Sequence, residues 1–157
     1  AGNPAAYGSV KVTEWLPPEK SSLGPDGSAD MVVTFRNVHG WINSGIEKDV
    51  FSAIAAVLKP GGVLGLVQHR APEGADPSES AKKGYVSQAH VIALAEAAGL
   101  VFEASSEINS NLKDTKDYES GVWTLPPSLT LGEQDQDKYL AIGESDRMTL
   151  RFRKPAK

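Results

Sequence analysis

The chain has 157 residues, with 16 lysines and arginines against 20 aspartates and glutamates, a net charge of −4, and no cysteine. That length suits a single domain, and the acidic balance argues against a surface built to neutralise nucleic-acid phosphates or to grip an anionic membrane through a polybasic patch. Without cysteine there is no disulfide framework, no Cys-ligated metal centre and no thiol nucleophile.

The longest apolar region, residues 51–67, is interrupted by Lys59-Pro60-Gly61-Gly62. No segment reaches the roughly 18 apolar residues of a membrane span, so the chain reads as soluble, either cytoplasmic or periplasmic. The opening Ala-Gly-Asn-Pro has neither an initiator methionine nor the charged and hydrophobic parts of a signal peptide. It is expected either to follow a processed segment or to belong to a longer polypeptide.

Residues 10–16 alternate and predict a strand that Pro17-Pro18 ends. Glu19 to Ser28 reads as a loop with a turn at Pro25-Asp26-Gly27. Met31 to Phe35 is a short apolar run rich in β-branched residues, expected to be a central strand covered on both faces. Val50, Phe51, Ile54, Val57 and Leu58 mark one stripe of a helix beginning near Ser44 to Ile46 and stopped by Pro60-Gly61-Gly62. Val63 to Gln68 is the next strand, which completes a βαβ unit.

The pattern then repeats. After a loop from Ala71 to Gly84, Ser87 caps a predicted helix carrying Val91, Leu94, Ala95 and Ala98, Gly99 ends it, and Leu100 to Ser105 form a strand. A polar stretch, 109–137, precedes a short helix over Gln134–Ile142. Residues 148–153 alternate like a strand near an edge with one wetter face. Strand and helix alternating in this way predict a layered α/β fold.

Open parallel sheets bind ligands beyond the carboxyl ends of their strands. Arg36, Asn37, His39 and Trp41 follow the run 31–35, Gln68, His69 and Arg70 close the run 63–67, and Glu14 and Trp15 sit at the end of the first strand. Each also has a plain structural reading: His39 and Trp41 as packing for the next helix, Arg36 and Asn37 as partners of loop carbonyls, His90 as a surface residue of a first helical turn. No His-x-x-x-His or His-Glu-x-x-His spacing offers a metal site, no Gly-x-Ser-x-Gly elbow a hydrolase, and neither a phosphate-binding loop nor a dinucleotide turn occurs.

Ser28 to His39, the amphipathic helix, Leu58-Lys59-Pro60-Gly61-Gly62 and the strand after it resemble the fourth strand, fourth helix and fifth strand of class I S-adenosylmethionine-dependent methyltransferases. Tyr85 to Gly99 with Leu100-Val101 resembles the next helix and its exit into the sixth strand, and Thr34-Phe35-Arg36-Asn37-Val38-His39-Gly40-Trp41 with Ala141 to Met148 is similar to a bacterial group of predicted methyltransferases. The resemblance implies a Rossmann-like α/β sheet that is incomplete: strands 3 to 7 are expected, with Val10 to Trp15 as the third, while the first two strands and the glycine-rich turn are missing. Residues 1–157 would then be one α/β domain, the C-terminal portion of a methyltransferase domain.

In the family's sheet order, 3-2-1-4-5-7-6, the missing strands lie beside the fourth. Residues 31–35 would therefore be left as an open apolar edge, covered by the N-terminal portion of the same protein, by a homodimer or by an altered pairing of residues 8–16. The resemblance also implies S-adenosylmethionine as cofactor and a small-molecule or unknown methyl acceptor, with Arg36, Asn37 and Glu14 near the cofactor, His39 as acceptor contact or general base, and Trp41 and His69 near the acceptor. Two rivals stay open: a non-enzymatic α/β interaction module built on the same fold, and a nicotinamide-dependent oxidoreductase fragment.

Overall fold

A computed structural model describes residues 2–17 and 19–156. Helix α1 (Pro4–Tyr7) is capped by the Asn3 side chain and leads into an exposed, extended segment. The strand expected over 10–16 does not form: only Leu16 pairs, with Lys20 in an isolated bridge, and Val12 is 95% exposed. Alternation prepares a segment to lie on a sheet, but a strand exists only when a neighbouring backbone takes its hydrogen bonds. Pro18, read above as part of the stop, lies outside the described residues.

Strand β1 (Ala29–Phe35) is followed by α2 (Val38–Ser44) and α3 (Glu47–Val57). The expected helix is α3, and α2 is an additional short helix ahead of it that ends at Gly45, whose φ of 68° places it in the left-handed region that ends helices. Helix α3 carries the predicted stripe, burying Val50, Phe51, Ile54 and Val57. Strand β2 (Leu58–His69) begins at once and runs through Pro60-Gly61-Gly62, five residues earlier than expected. The backbones approach closely there: a Cβ on Gly62 would sit 2.9 Å from the Lys59 carbonyl oxygen and 3.2 Å from that of Asp30.

Helix α4 (Pro77–Lys82) forms inside the stretch read as a loop, because Asp76 accepts from the N–H groups of Ser78 and Glu79. Helix α5 (Gln88–Ala97) has the expected Ser87 cap, and Gly99 adopts a φ of 86° beyond its end. Then come β3 (Val101–Ser106), a 3₁₀ turn at Gly121–Thr124, α6 (Gln136–Ile142) and β4 (Arg147–Arg153). None of the helices described is long and apolar enough to cross a membrane.

The sheet order is β1-β2-β4-β3, with β1 and β2 parallel and β4 antiparallel to both its neighbours. This is the expected 4-5-7-6 portion of the family order. Strand β4 is therefore interior, not near an edge, although its wetter face is as expected. Strand β1 is terminal among the described residues, not central.

The core lies on one face of the sheet, where Leu64, Leu66, Leu150 and Phe152 meet Phe51 and Ile54 of α3 and Val91 of α5. Each such side chain contributes about 1.5–3 kcal/mol on leaving water. The opposite face is divided. Met31, Val33 and Phe35 of β1 stand 54–61% exposed beside Val63 and Val67, while β4 presents Arg151 and Arg153 to Glu103 of β3.

A buried polar cluster ties the loops to the strand ends. Asp146 accepts from Arg70 Nη2 at 3.1 Å, Lys116 Nζ at 2.8 Å and the Asn111 N–H at 3.1 Å, and Arg70 also pairs with Glu107. Asp114 accepts from the Tyr85 hydroxyl at 3.0 Å and from the Asp146 N–H at 2.8 Å. Burial pushes the Asp146 carboxyl up, but the hydrogen bonds from Lys116, Asn111 and Arg70 outweigh it and hold it below the usual range. A second tie joins residues 83–84 to 121–122: the Val122 N–H donates to the Lys83 carbonyl at 3.0 Å, and a Cβ on Gly121 would collide with that same carbonyl.

Asp146→Asn, which keeps the shape but leaves two half-buried cations short of a charge, is expected to cost about 3 kcal/mol in chemical denaturation. A loss below about 1 kcal/mol would mean that water replaces the carboxylate.

Candidate functional site

The carboxyl ends of β1 and β2 and the start of β4 share one rim. A cleft of about 310 Å³ opens there. Phe35, Arg36, Asn37 and His39 line it from the end of β1, His69 from the end of β2, and Ser145 and Arg147 from the start of β4. Val122, Trp123, Pro126 and Pro127 form its roof.

Arg36 leaves β1 with a φ of 61°, a left-handed conformation uncommon for a residue with a Cβ. It is held there because its N–H donates to the Val67 carbonyl at 2.7 Å. Strained backbone of this kind costs on the order of 1–3 kcal/mol and concentrates at functional sites. Asn37 donates through Nδ2 to Thr34 Oγ1 at 3.0 Å.

Gln68 is fully buried and organises the floor. Its Oε1 accepts from the Val38 N–H at 3.2 Å and its Nε2 donates to the Gly84 carbonyl at 2.8 Å, which fixes the amide's orientation. The same Nε2 lies 3.2 Å from His39 Nδ1. Since Nε2 can only donate, Nδ1 is the acceptor, and neutral His39 carries its proton on its own Nε2.

His69 Nδ1 lies 2.5 Å from Ser145 Oγ, and the His39 and His69 rings are 5.8 Å apart. Burial lowers the His39 pKa, partly offset by the Gln68 hydrogen bond. Burial lowers that of His69 to about 3, helped by repulsion from His39, Arg36 and Arg147. Both imidazoles are neutral at pH 7.

Of the residues singled out from the sequence, Arg36, Asn37, His39 and His69 meet in this cleft. Trp41 does not: it packs edge-on against Phe51, ring centroids 6.0 Å apart, at the margin of the core. Glu14 does not either, since it sits on the exposed segment before β1 and pairs with Lys20. Arg70 belongs to the Asp146 cluster, and His90 lies in the first turn of α5. The sequence reading missed Trp123, Ser145 and Arg147, which reach the rim from far along the chain and carry no local signal. Gln68 was noted there only as a strand end.

No protein-family model and no curated protein matches this chain. Solved structures do. The [4+2]-cyclase SpnF superposes with a TM-score of 0.57 at 18% identity, over 87% of this chain and 54% of its own. An S-adenosylmethionine-dependent methyltransferase from Methanosarcina mazei gives 0.55 at 12% identity, over 87% and 65%. At such identities the likeness concerns the fold, which is part of the Rossmann-like methyltransferase fold. The chain spans between half and two thirds of the length of these structures.

Because His69 is held neutral in the folded state, the unfolded chain takes up its proton first as the pH falls below about 6.5. This contribution to stability is complete above that pH and is lost progressively as the pH falls toward 3, at up to about 1.4 kcal/mol per unit. Denaturation curves between pH 7 and 5, where carboxylates stay ionised, should show the loss, and His69→Gln should flatten it.

Proposed function

We propose that this chain is the acceptor-side portion of an S-adenosylmethionine-dependent methyltransferase, and that residues outside these 157 hold the nucleoside of the cofactor. The observation that carries this reading is the coincidence of a methyltransferase-like sheet with a polar cleft at the carboxyl ends of β1 and β2. When bound, S-adenosylmethionine supplies an electrophilic methyl group on a sulfonium.

The residues present fit part of such a cofactor. Arg36, Asn37 and His39 offer donors, but ribose hydroxyls call for a free carboxylate. The cleft's one carboxylate, Glu144, is paired with Arg147. Glu14, placed near the cofactor by resemblance, lies outside the cleft.

Within the cleft, Arg36 and Asn37 orient the ligand, and His39 contacts the acceptor as a hydrogen-bond donor through Nε2. Trp123 and the two prolines exclude water from one side. Catalysis of this kind is mainly positioning, which can supply several kcal/mol of barrier lowering. The acceptor is a small molecule of unassigned identity, and nucleic acid is not expected.

A second reading, an interaction module without catalysis, is favoured by the exposed Met31, Val33 and Phe35 on the terminal strand. Calorimetric titration with S-adenosylhomocysteine separates the two. A polypeptide extended upstream of Ala1 should bind it at micromolar concentration, and the 157-residue chain at least about a hundredfold more weakly. Binding by neither would leave the interaction module standing, and tight binding by the chain alone would remove the need for the upstream portion.

In the extended protein, His39→Ala should lower kcat at least about tenfold while costing about 1 kcal/mol of stability, since Gln68 keeps its bonds to Val38 and Gly84. Unchanged turnover would remove His39 from the site.

A further inference from the structure

The chain is acidic overall, yet its cleft is cationic. Of its five arginines, Arg70, Arg147, Arg151 and Arg153 each have a carboxylate partner among the described residues, and Arg36 has none. Arg147, which lines the same cleft, gives Nη1 to Glu144 but has a buried Nε without any hydrogen-bond partner. Glu144 is the single carboxylate set against these two guanidinium groups.

Such a grouping has a cost. Arg36 and Arg147 both repel a proton from His69, so the positive potential reaches the cleft floor. An unpaired buried donor is unfavourable, and bringing like charges together adds to that. An oxyanion in the cleft would relieve the repulsion between the two cations, because guanidinium groups match the planar geometry of a carboxylate or the oxygens of a phosphate. The remaining walls, Phe35, Trp123, Pro126 and Pro127, are aromatic or apolar and suit a hydrocarbon body. A volume of about 310 Å³ admits a small molecule only.

Taking the cleft to be the acceptor side of the site proposed above, we infer that it binds a small organic acid. The oxyanion is held by Arg36 beside the positive charge of Arg147, and the apolar body lies against Phe35 and Trp123. The oxyanion is a carboxylate or a phosphate.

The test uses the 157-residue chain without cofactor and follows the Trp123 indole and the His39 and His69 imidazole signals by NMR. The probes are benzoate, phenyl phosphate, inorganic phosphate, methionine and the uncharged benzyl alcohol. Benzoate or phenyl phosphate should shift these signals saturably, at least about tenfold more tightly than inorganic phosphate or benzyl alcohol, and the better of the two identifies the oxyanion. Arg36→Gln should weaken binding about tenfold, with Arg36→Lys intermediate and the remote Lys59→Gln without effect.

An equal response to benzyl alcohol, indifference to Arg36→Gln, or binding of methionine alone would overturn the proposal, the last by assigning the cations to the tail of the cofactor. The two readings fail separately. Acid binding without S-adenosylhomocysteine binding by the extended protein keeps this proposal and removes the methyltransferase. The reverse result keeps the methyltransferase and removes the organic acid.

Discussion

One carboxylate sets the geometry on which the rim depends. Asp146 lies between Arg70 at the end of β2 and Lys116 in the long loop, and its own N–H is fixed by Asp114. Ser145 and Arg147 flank it in sequence, so their positions at the cleft follow from where this charge is anchored. A charge buried this deeply persists only when its lone pairs are filled, and here two cations and a backbone N–H fill them. The loop of residues 107–118 has little apolar surface to hold it, and these bonds secure it instead.

The sheet is finished on one side and open on the other. Helices α3 and α5 cover the core face, while the far face is apolar along β1 and β2 and charged along β4 and β3. Arg151 and Arg153 paired with Glu103 make a surface at ease in water. Met31, Val33 and Phe35 do not, and they form an exposed apolar stretch on the strand that is terminal among the described residues. That division places the open surface next to the cleft, since Phe35 belongs to both.

Much of the sheet was legible because its signals are local. The stripe of α3, the Ser87 cap and the Gly99 exit are contained within a few turns of chain, and each forms as read. Residues 10–16 show the limit: alternation states which side chains would face together, but not whether a partner strand exists. Strand β4 shows another, since its pattern gives a wet face and a dry one without saying that it lies between β2 and β3. Four of the six side chains that the resemblance assigned to the site, Arg36, Asn37, His39 and His69, could be placed at the cleft because they lie at or just beyond the ends of parallel strands. Trp123 and Ser145 could not, since only the docking of the 107–146 region brings them to the rim. Gln68 reads as one more residue of a buried strand until its three partners are seen.

The close approach of Gly121 to Lys83 has a mechanical consequence. With no side chain between the two backbones and a hydrogen bond across them, the turn bearing Trp123 is fastened to the segment between α4 and α5. Gly84, beside that contact, also receives the Gln68 amide that fixes the ring of His39. Floor and ceiling are thus bolted to the same few atoms of main chain, and a disturbance that reaches the α4–α5 connection would be transmitted to both walls of the chamber at once.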